Sequence, residues 1–348
     1  MNTETHTTLW QLSIRAVVAF SLLVGLTACS GGSKASGGGS TAPQTQTWAI
    51  KAPMPTPRGA LGAATVNGIV YAIGGGTAEN GSAPLATAEA YNPATNIWSA
   101  KAPMPTPRQV AGIAVVNGII YVIGGQDGSQ PGIGLRAVEA YDPNTNTWTI
   151  KAPMPTARGA LACAVVNGII YSIGGKAIND GNLFPVLATV EAYDPGTNTW
   201  STKASMPTAR NGLGVGVLNG IIYAVGGNND STVPPFTLAT VEAYDPTTNT
   251  WLTRAAMANT REGPGVGEID GTLYAVGGQE GSTDHGAILT SMEAFNPTTN
   301  SWTARPSMLT QRIGMATSVA NGRLYVVGGA VIGVNSFVLS RVLEEYTP

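Results

Sequence analysis

The chain has 348 residues, of which 11% are charged, and its formal net charge is −2. A chain of this length could form two average domains, although repeat folds of this size often form one unit. Because the chain has few charged residues and a net charge near zero, the composition indicates no basic patch. We therefore expect no nucleic-acid binding. The 45 glycines and 23 prolines favour turns over long helices.

The first 28 residues have the layout of an export signal. A polar segment that ends in Arg15 precedes an apolar stretch, residues 16–28, which is too short to span a bilayer. This region ends in Leu26-Thr27-Ala28-Cys29, which resembles the lipobox of bacterial lipoproteins. The resemblance implies cleavage before Cys29 and lipidation of its thiol, where two or more acyl chains give stable anchorage. The alternative is an ordinary secretory signal that contains a cysteine by coincidence.

The residues after the signal predict a tether and a location. Ser30 follows Cys29 where inner-membrane lipoproteins often carry Asp, so we expect the protein in the cell envelope, at the outer membrane. Residues 29–44 are rich in Gly and Ser, which predicts a flexible linker. We therefore divide the chain into a signal peptide (1–28), a tether (29–44) and a folded domain (45–348). The membrane is then contacted through the N-terminal lipid only.

The folded domain contains a repeat of about 50 residues. A glycine doublet ends an apolar run six times, at Gly74-Gly75, Gly124-Gly125, Gly174-Gly175, Gly226-Gly227, Gly277-Gly278 and Gly328-Gly329. An aromatic residue follows each doublet, at Tyr91, Tyr141, Tyr193, Tyr244, Phe295 and Tyr346. A tryptophan lies seven residues past each of the first five aromatics, whereas Trp48 precedes the first repeat.

Each repeat predicts four short strands, which we call A to D. In the second repeat, A begins at Arg108 and reads RQVAGIAVV, B is GIIYVIGG, C is AVEAYDP and D is NTWTIKAPM. Apolar and β-branched runs of strand length, separated by turn residues, support this assignment. Asn117-Gly118 joins A to B and suits a type I′ hairpin, because both residues tolerate a positive φ.

Four-stranded units of this length, with the glycine doublet, tyrosine and tryptophan, resemble kelch repeats over residues 45–348. The resemblance implies an all-β fold, a six-bladed kelch-type β-propeller with four antiparallel strands per blade. The last repeat ends after strand C, whereas the segment around Trp48 is a D strand without a repeat of its own. We expect Trp48 to lie beside Tyr346, so that the N-terminal strand completes the last blade and closes the ring. An open edge would favour aggregation.

Alternate residues of strand A are small in every repeat, as at Gly112 and Ala114. Only small side chains fit where the innermost strands crowd around the axis, so we expect A to be the central strand. Cys163 lies on the other face of this strand, where we expect a buried small hydrophobic residue.

The two faces of a propeller differ in which connections they carry. Antiparallel strands place the B–C loops and D–A connections on one face, and the A–B and C–D turns on the other. The turns are nearly the same in every repeat, whereas the B–C loops differ. Variable loops on a rigid scaffold are the usual place for recognition, so we predict the binding surface on the B–C face, around the pore.

One arginine opens strand A in each repeat: Arg58, Arg108, Arg158, Arg210, Arg261 and Arg312. A ring of guanidinium groups on the B–C face would suit carboxylates. In the kelch domain that captures an acidic transcription-factor peptide, arginines at this position help to line the pocket, so the resemblance implies an anionic ligand. The alternative is structural, because each repeat also has a glutamate two residues before the aromatic: Glu89, Glu139, Glu191, Glu242, Glu293 and Glu344. Buried ion pairs between these residues could hold the blades.

Residues that break the repeat are further candidates for the site. Glu262 follows the fifth arginine, where most repeats have Gly, Asn or Gln. Phe184, Phe236 and Phe337 lie on or beside B–C loops. They either form an apolar rim for a partner or support the loops from below.

The sequence offers few groups for catalysis. His285, on the fifth B–C loop, has no partners in a triad or zinc pattern, so we expect no metal and no cofactor. The main prediction is a monomeric binding module that recognises a protein or glycan ligand.

One enzymatic alternative remains. Bacterial sialic acid mutarotases resemble exported six-bladed kelch propellers, and mutarotation needs acid–base groups and an arginine that holds an anionic sugar. Glu262 is the candidate acid–base group. A carboxylate in an enclosed pocket near free arginines would distinguish such an epimerase-type enzyme from a binding module.

Overall fold

The computed structural model describes residues 46–77, 83–128, 134–177, 185–230, 236–281, 286–332 and 337–348. These residues form six four-stranded antiparallel sheets, which are the blades of a β-propeller. We number the blades in chain order, from blade 1 after Arg58 to blade 6 after Arg312. Within these ranges no helix has the length and apolarity of a membrane span. The predicted signal, Cys29 and the tether lie outside the described residues.

Each blade consists of strands A, B, C and D, which pair side by side in that order. Blade 1 contains Gly62–Val66, Ile69–Ile73, Ala88–Asn92 and Ile97–Ala100, and blade 2 contains Gly112–Val116, Ile119–Ile123, Val138–Asp142 and Thr147–Ile150. Blade 3 contains Ala162–Val166, Ile169–Ile173, Val190–Asp194 and Thr199–Lys203, and blade 4 contains Gly214–Leu218, Ile221–Val225, Val241–Asp245 and Thr250–Arg254. Blade 5 contains Gly265–Ile269, Thr272–Val276, Met292–Asn296 and Ser301–Arg305. Blade 6 contains Ala316–Ala320, Arg323–Val327, Leu343–Thr347 and, as strand D, Thr47–Lys51.

The ring closes between the two ends of the folded domain, as predicted. Thr47–Lys51 pairs antiparallel with Leu343–Thr347, and Trp48 lies opposite Tyr346 in the register. Their ring centroids are 5.2 Å apart, the spacing of a favourable aromatic pair. The Trp48 indole N–H donates to the carbonyl of Pro306 at 2.8 Å. The closing strand is therefore held by backbone pairing, aromatic packing and a hydrogen bond to blade 5.

Two further shorter sheets extend B–C loops on the loop face. In blade 5, Gln279–Glu280 pairs with Ala287–Ile288, and in blade 6, Ala330–Ile332 pairs with Phe337–Leu339. Both hairpins follow directly on a glycine doublet.

Strand A is shorter than the sequence predicts. In blade 2 it starts at Gly112, four residues after Arg108, because Val110 takes a φ of +47° and interrupts the extended chain. The A–B hairpin has the predicted type I′ geometry, with φ of +50° at Asn117 and +77° at Gly118.

Strand A is the innermost strand of each blade, and successive A strands contact one another around the axis. Their small residues pack against the next blade. A Cβ atom at Gly62 would overlap the Ile113 side chain, and one at Gly112 would overlap Cys163. Small residues are required on this face because blades meet most closely near the axis.

The glycine doublets join neighbouring blades. Gly74 has a φ of +63°, and a Cβ atom there would lie 2.5 Å from the Arg108 carbonyl oxygen of blade 2. The adjacent Gly75 N–H donates to the same oxygen at 3.0 Å. A side chain would therefore introduce backbone strain and separate the two blades.

The hydrophobic core lies between adjacent blades. Tyr141 of blade 2, for example, packs with Tyr71 and Ile73 of blade 1 in one buried cluster. Farther out, the Trp148 N–H donates to the Ala102 carbonyl at 2.8 Å. Each blade therefore buries its apolar side chains only by packing on its neighbours, which makes the ring one cooperative unit.

Candidate functional site

The six arginines do not line the pore, which corrects the prediction of a ligand-binding arginine ring. Each side chain is at most 1% exposed and pairs with the glutamate on strand C of its own blade. The N–O distances are 2.7 Å for Arg58–Glu89 and Arg158–Glu191, 2.9 Å for Arg210–Glu242 and Arg261–Glu293, and 3.2 Å for Arg312–Glu344, and Arg108 pairs with Glu139. The guanidinium groups point into the blades, where carboxylates and carbonyls accept from their terminal nitrogens, although the Nε of five of the six arginines has no partner. The structural alternative is the one observed.

Each pair belongs to a wider hydrogen-bond network. Arg108 Nη1 donates to the carbonyls of Gly124 and Ala137, at 3.2 and 3.0 Å, where strands B and C meet. The Thr106 hydroxyl donates to Glu139 at 2.7 Å. Sequence reasoning missed this threonine, although Thr-x-Arg recurs in every repeat except the fifth and was a usable signal. The network fastens the start of strand A to strands B and C.

Burial lowers the pKa of all six arginines, and the paired glutamates partly offset this effect. The effect is largest at Arg312, where burial lowers the pKa to about 10. The group therefore remains a cation at neutral pH. Because both partners are desolvated, each pair is a fixed structural element and offers no free charge to a ligand.

A second ring of residues surrounds the entrance of the channel on the B–C face, and we call it the mouth ring. In each blade, the residue after the arginine forms an isolated β-bridge with the residue after the glycine doublet. The six pairs, from blade 1 to blade 6, are Gly59–Gly76, Gln109–Gln126, Gly159–Lys176, Asn211–Asn228, Glu262–Gln279 and Ile313–Ala330. The ring is therefore polar in blades 2 to 5 and has no polar side chain in blades 6 and 1.

Glu262 is the centre of a polar cluster across blades 3 to 5. Asn228 Nδ2 donates to the Glu262 carboxylate at 2.9 Å, and Lys176 forms an ion pair with Asp230. Burial, together with the negative charge of Asp230, raises the pKa of Glu262, while the Asn228 hydrogen bond and the Lys176 charge oppose the rise. Because a carboxylate has more acceptor sites than one amide fills, Glu262 can accept further hydrogen bonds. Glu262, which the sequence analysis named as a candidate site residue because it breaks the repeat, thus lies in a cluster of polar side chains. Its role in binding stays a prediction.

Part of the channel wall below the mouth ring is apolar. A cavity of about 230 Å³ is lined by Ala63, Ile113, Cys163 and Val215 among others. Cys163 is half-buried on this wall rather than fully buried as predicted, because its face of strand A borders the channel. Burial raises the pKa of its thiol to about 11. At neutral pH the thiol is protonated and is a poor nucleophile.

The phenylalanine rim stays a prediction. Phe236 is half-buried beside its B–C loop, and Phe337 lies on the second strand of the blade 6 hairpin. Phe184 and His285 lie outside the described residues. Within the described residues, no three His, Cys, Asp or Glu side chains are grouped to hold a metal ion.

Comparison with known families agrees with this architecture. Kelch motif models match residues 57–105, 107–155, 157–207, 209–258 and 260–309, which is more than half of the chain. The chain belongs to the kelch-repeat family. The matched ranges do not include the sixth kelch unit, whose strands come from both ends of the folded domain.

Curated kelch proteins are similar to parts of the chain. It is 43% identical over 99 residues to Kelch-like ECH-associated protein 1A of Danio rerio, covering 28% of this chain and 16% of that protein. It is 31% identical over 170 residues to Kelch domain-containing protein 8B of Rattus norvegicus, covering 46% and 47% of the two chains. The kelch chain thus spans less than half of each of these relatives.

Among solved structures, the kelch chain resembles the structure of YjhT. The TM-score is 0.68 at 20% sequence identity, and the match covers 83% of this chain and 95% of that chain. A likeness at this identity shows a shared fold alone.

The feature that would distinguish an enzyme from a binding module is a carboxylate beside free arginines. Glu262 provides the carboxylate, but the arginine that precedes it, Arg261, is 0% exposed and paired with Glu293. The one cation in the described mouth ring, Lys176, pairs with Asp230. Among the described residues at the mouth, the cations nearest to Glu262 are therefore already paired with carboxylates.

Proposed function

We propose that the protein is an exported, lipid-anchored kelch binding module whose protein or carbohydrate partner docks on the B–C face around the mouth ring. The kelch propeller fold itself supports a role as a protein-binding module. The observation that carries the proposal is the contrast in polar groups. The repeated arginines and glutamates neutralise one another inside the blades, whereas the non-repeating polar side chains gather at the mouth of the channel.

The geometry of the mouth suits binding. Asn228 and Glu262 are half-buried and held by the β-bridges at the ends of the blades, and Asn228 donates to the Glu262 carboxylate at 2.9 Å. Polar groups that are already positioned lose little conformational entropy when a partner binds. Loops on such a scaffold can vary without disturbing the blades.

The lipid anchor is tested by replacing Cys29, the residue whose thiol is predicted to carry the lipid. Cys29→Ala should abolish incorporation of radiolabelled fatty acid and move the protein from the membrane fraction to the soluble fraction. Cys163→Ala is the matched control and should change neither result. Fatty-acid labelling that survives Cys29→Ala would contradict the lipid anchor.

The binding face is tested by photo-crosslinking in living cells. A photoreactive amino acid replaces Gln126 in the mouth ring or, as the control, Asn144 in an exposed C–D turn on the opposite face. We expect discrete adducts from the mouth position only. Adducts that form from Asn144 and not from Gln126 would overturn the proposed face.

A further inference from the structure

The blades meet at six seams, and backbone hydrogen bonds close five of them on the B–C face in the same way. The seam between blades 1 and 2 has three such bonds: Val110 N–H to the Ala60 carbonyl at 2.9 Å, Gly75 N–H to Arg108 at 3.0 Å, and Arg108 N–H to Leu85 at 3.1 Å. The equivalent three bonds are present at the seams 2–3, 3–4, 4–5 and 6–1, at 2.7 to 3.4 Å. The repeat therefore specifies a closed seam.

The seam between blades 5 and 6 lacks all three bonds, although every residue concerned is described. The missing hydrogen bonds are those that the repeat would place between Gly314 N–H and the Gly263 carbonyl, Gly278 N–H and the Arg312 carbonyl, and Arg312 N–H and the Leu289 carbonyl. Farther out, the seam is intact, because Met308 N–H donates to Thr290 at 2.9 Å. The seam is thus open at the mouth and closed at its outer part.

Met315 gives the physical reason for the opening. At the other five seams, the first glycine of the doublet faces the carbonyl of the next arginine, and a Cβ atom there would lie 2.5 to 2.7 Å from it. At this seam the atoms nearest to such a Cβ atom on Gly277 are Met315 Cε and Met308 Cε. Repeats 1, 3 and 4 have a leucine where blade 6 has Met315. An unbranched methionine reaches farther than leucine and holds the Arg312 backbone away.

The open seam leaves three donors and three acceptors of the backbone unpaired within the protein. Buried backbone groups nearly always find a partner, so this seam is suited to a group from outside. A carboxylate or phosphate only accepts, and an ammonium only donates, so neither satisfies both sets. A hydroxyl group donates and accepts at once.

The surroundings of the seam favour a neutral ligand with both polar and apolar edges. Gln279 lies on the blade 5 side and Ile313 on the blade 6 side, whereas the Glu262 side chain points to Gly212 and Asn228 of blade 4. A Cβ atom at Gly263, between Glu262 and the seam, would meet no atom within 4 Å, so the space above it is open. The nearest guanidinium groups are buried and paired, so no free side-chain cation lies at the seam to attract an anion.

We propose that the open seam between blades 5 and 6, flanked by Gln279 and Ile313, binds the hydroxyl groups of a neutral saccharide. The unpaired backbone groups bind hydroxyls, the Gln279 amide binds a further hydroxyl, and Ile313 contacts a C–H face of the sugar. A peptide strand also donates and accepts, but it needs a row of partners along one strand edge, whereas the unpaired groups here lie on two facing segments. This inference rests on the proposed binding role of the B–C face.

The test titrates the full chain, purified in detergent, with maltotriose, cellotriose, mannotriose and chitotriose, and with N-acetylneuraminic acid and glucuronic acid as anionic probes. We expect at least one neutral trisaccharide to bind, with both anionic sugars at least tenfold weaker. Met315→Leu should close the seam and weaken that binding at least tenfold. Leu161→Met makes the reverse exchange at the seam between blades 2 and 3, and as the matched control it should leave binding unchanged.

Three results would overturn the inference: no neutral trisaccharide binds, an anionic sugar binds equally well, or Met315→Leu binds like the unaltered chain. A thermal unfolding curve shows that each variant is folded, because exchanges between leucine and methionine are well tolerated in cores. Photo-crosslinks from Gln126 separate this inference from the proposed function. If they persist while all sugars fail, the face binds a different partner and only the saccharide inference is lost.

Discussion

The propeller has two rings of polar side chains around its axis, and they differ in burial and in repetition. The inner ring consists of six arginine–glutamate pairs that are the same in every blade and nearly inaccessible to solvent. The mouth ring changes from blade to blade and is polar only in blades 2 to 5. The difference teaches that, in this repeat protein, a polar residue found in all six blades stabilises the fold of its blade. The varying polar residues that reach solvent, such as Gln126, Lys176 and Gln279, are the ones available to a partner.

The seams support the same distinction. Five seams share three backbone hydrogen bonds, and the sixth lacks them because Met315 replaces a shorter side chain. Glu262 of blade 5 also breaks the repeat. The two departures lie on opposite sides of blade 5, since the Glu262 carboxylate accepts from Asn228 of blade 4.

The largest expected effect comes from breaking one pair of the inner ring. Glu191→Ala leaves Arg158 buried without its counter-charge, and we expect a loss of about 3–5 kcal/mol in the free energy of unfolding. Urea unfolding of the full chain measures it. The double variant Arg158→Met, Glu191→Leu removes both charges and should lose much less. A loss under about 1 kcal/mol for Glu191→Ala would show that the pair is not desolvated as described.

A smaller effect is expected at the closing blade. Glu345 replaces the alanine found at this position in the other blades, and it accepts from the Tyr325 hydroxyl at 2.5 Å and pairs with Lys51 at 3.1 Å and Arg323 at 2.7 Å. Glu345→Ala should cost about 1–2 kcal/mol, because the buried Tyr325 hydroxyl loses its acceptor.

The effect of Glu345→Ala should depend on pH. Burial acts to raise the pKa of Glu345, but the hydrogen bonds from Tyr325 and Lys51 and the charges of Lys51 and Arg323 outweigh it, so the pKa is lowered. Its stabilisation is therefore present above the unfolded pKa of about 4.3 and is lost as the pH falls through the folded value. Urea unfolding at pH 7 and at pH 3 should show the difference shrink. A difference that is the same at both pH values would contradict the ionic role.

The smallest effect is expected in the mouth ring. The pKa of Glu262 is raised, chiefly by burial, so its ionised form is disfavoured in the folded state. Stability from this group is present below the unfolded pKa of about 4.3 and is lost as the pH rises through the folded value. Glu262→Gln should therefore raise the melting temperature by about 1–3 °C at pH 7 and leave it unchanged near pH 3. A lower melting temperature at pH 7 would mean that the charge stabilises the mouth.

The number of blades, the four strands in each and the closing role of Trp48 were all predictable, because they depend on local patterns. Glycine doublets, Asn-Gly turns and aromatic spacing determine hairpins within about 50 residues. Repetition shows these patterns six times over.

Burial and seam geometry were decided only by the tertiary structure. The sequence placed Arg58 and Glu89 in register but left open whether they met each other or a ligand, since that depends on which way a long side chain points. The opening beside Met315 depends on contacts between residues of different blades, as at Gly277. Such contacts arise only when the ring is assembled, because they join side chains that belong to different blades.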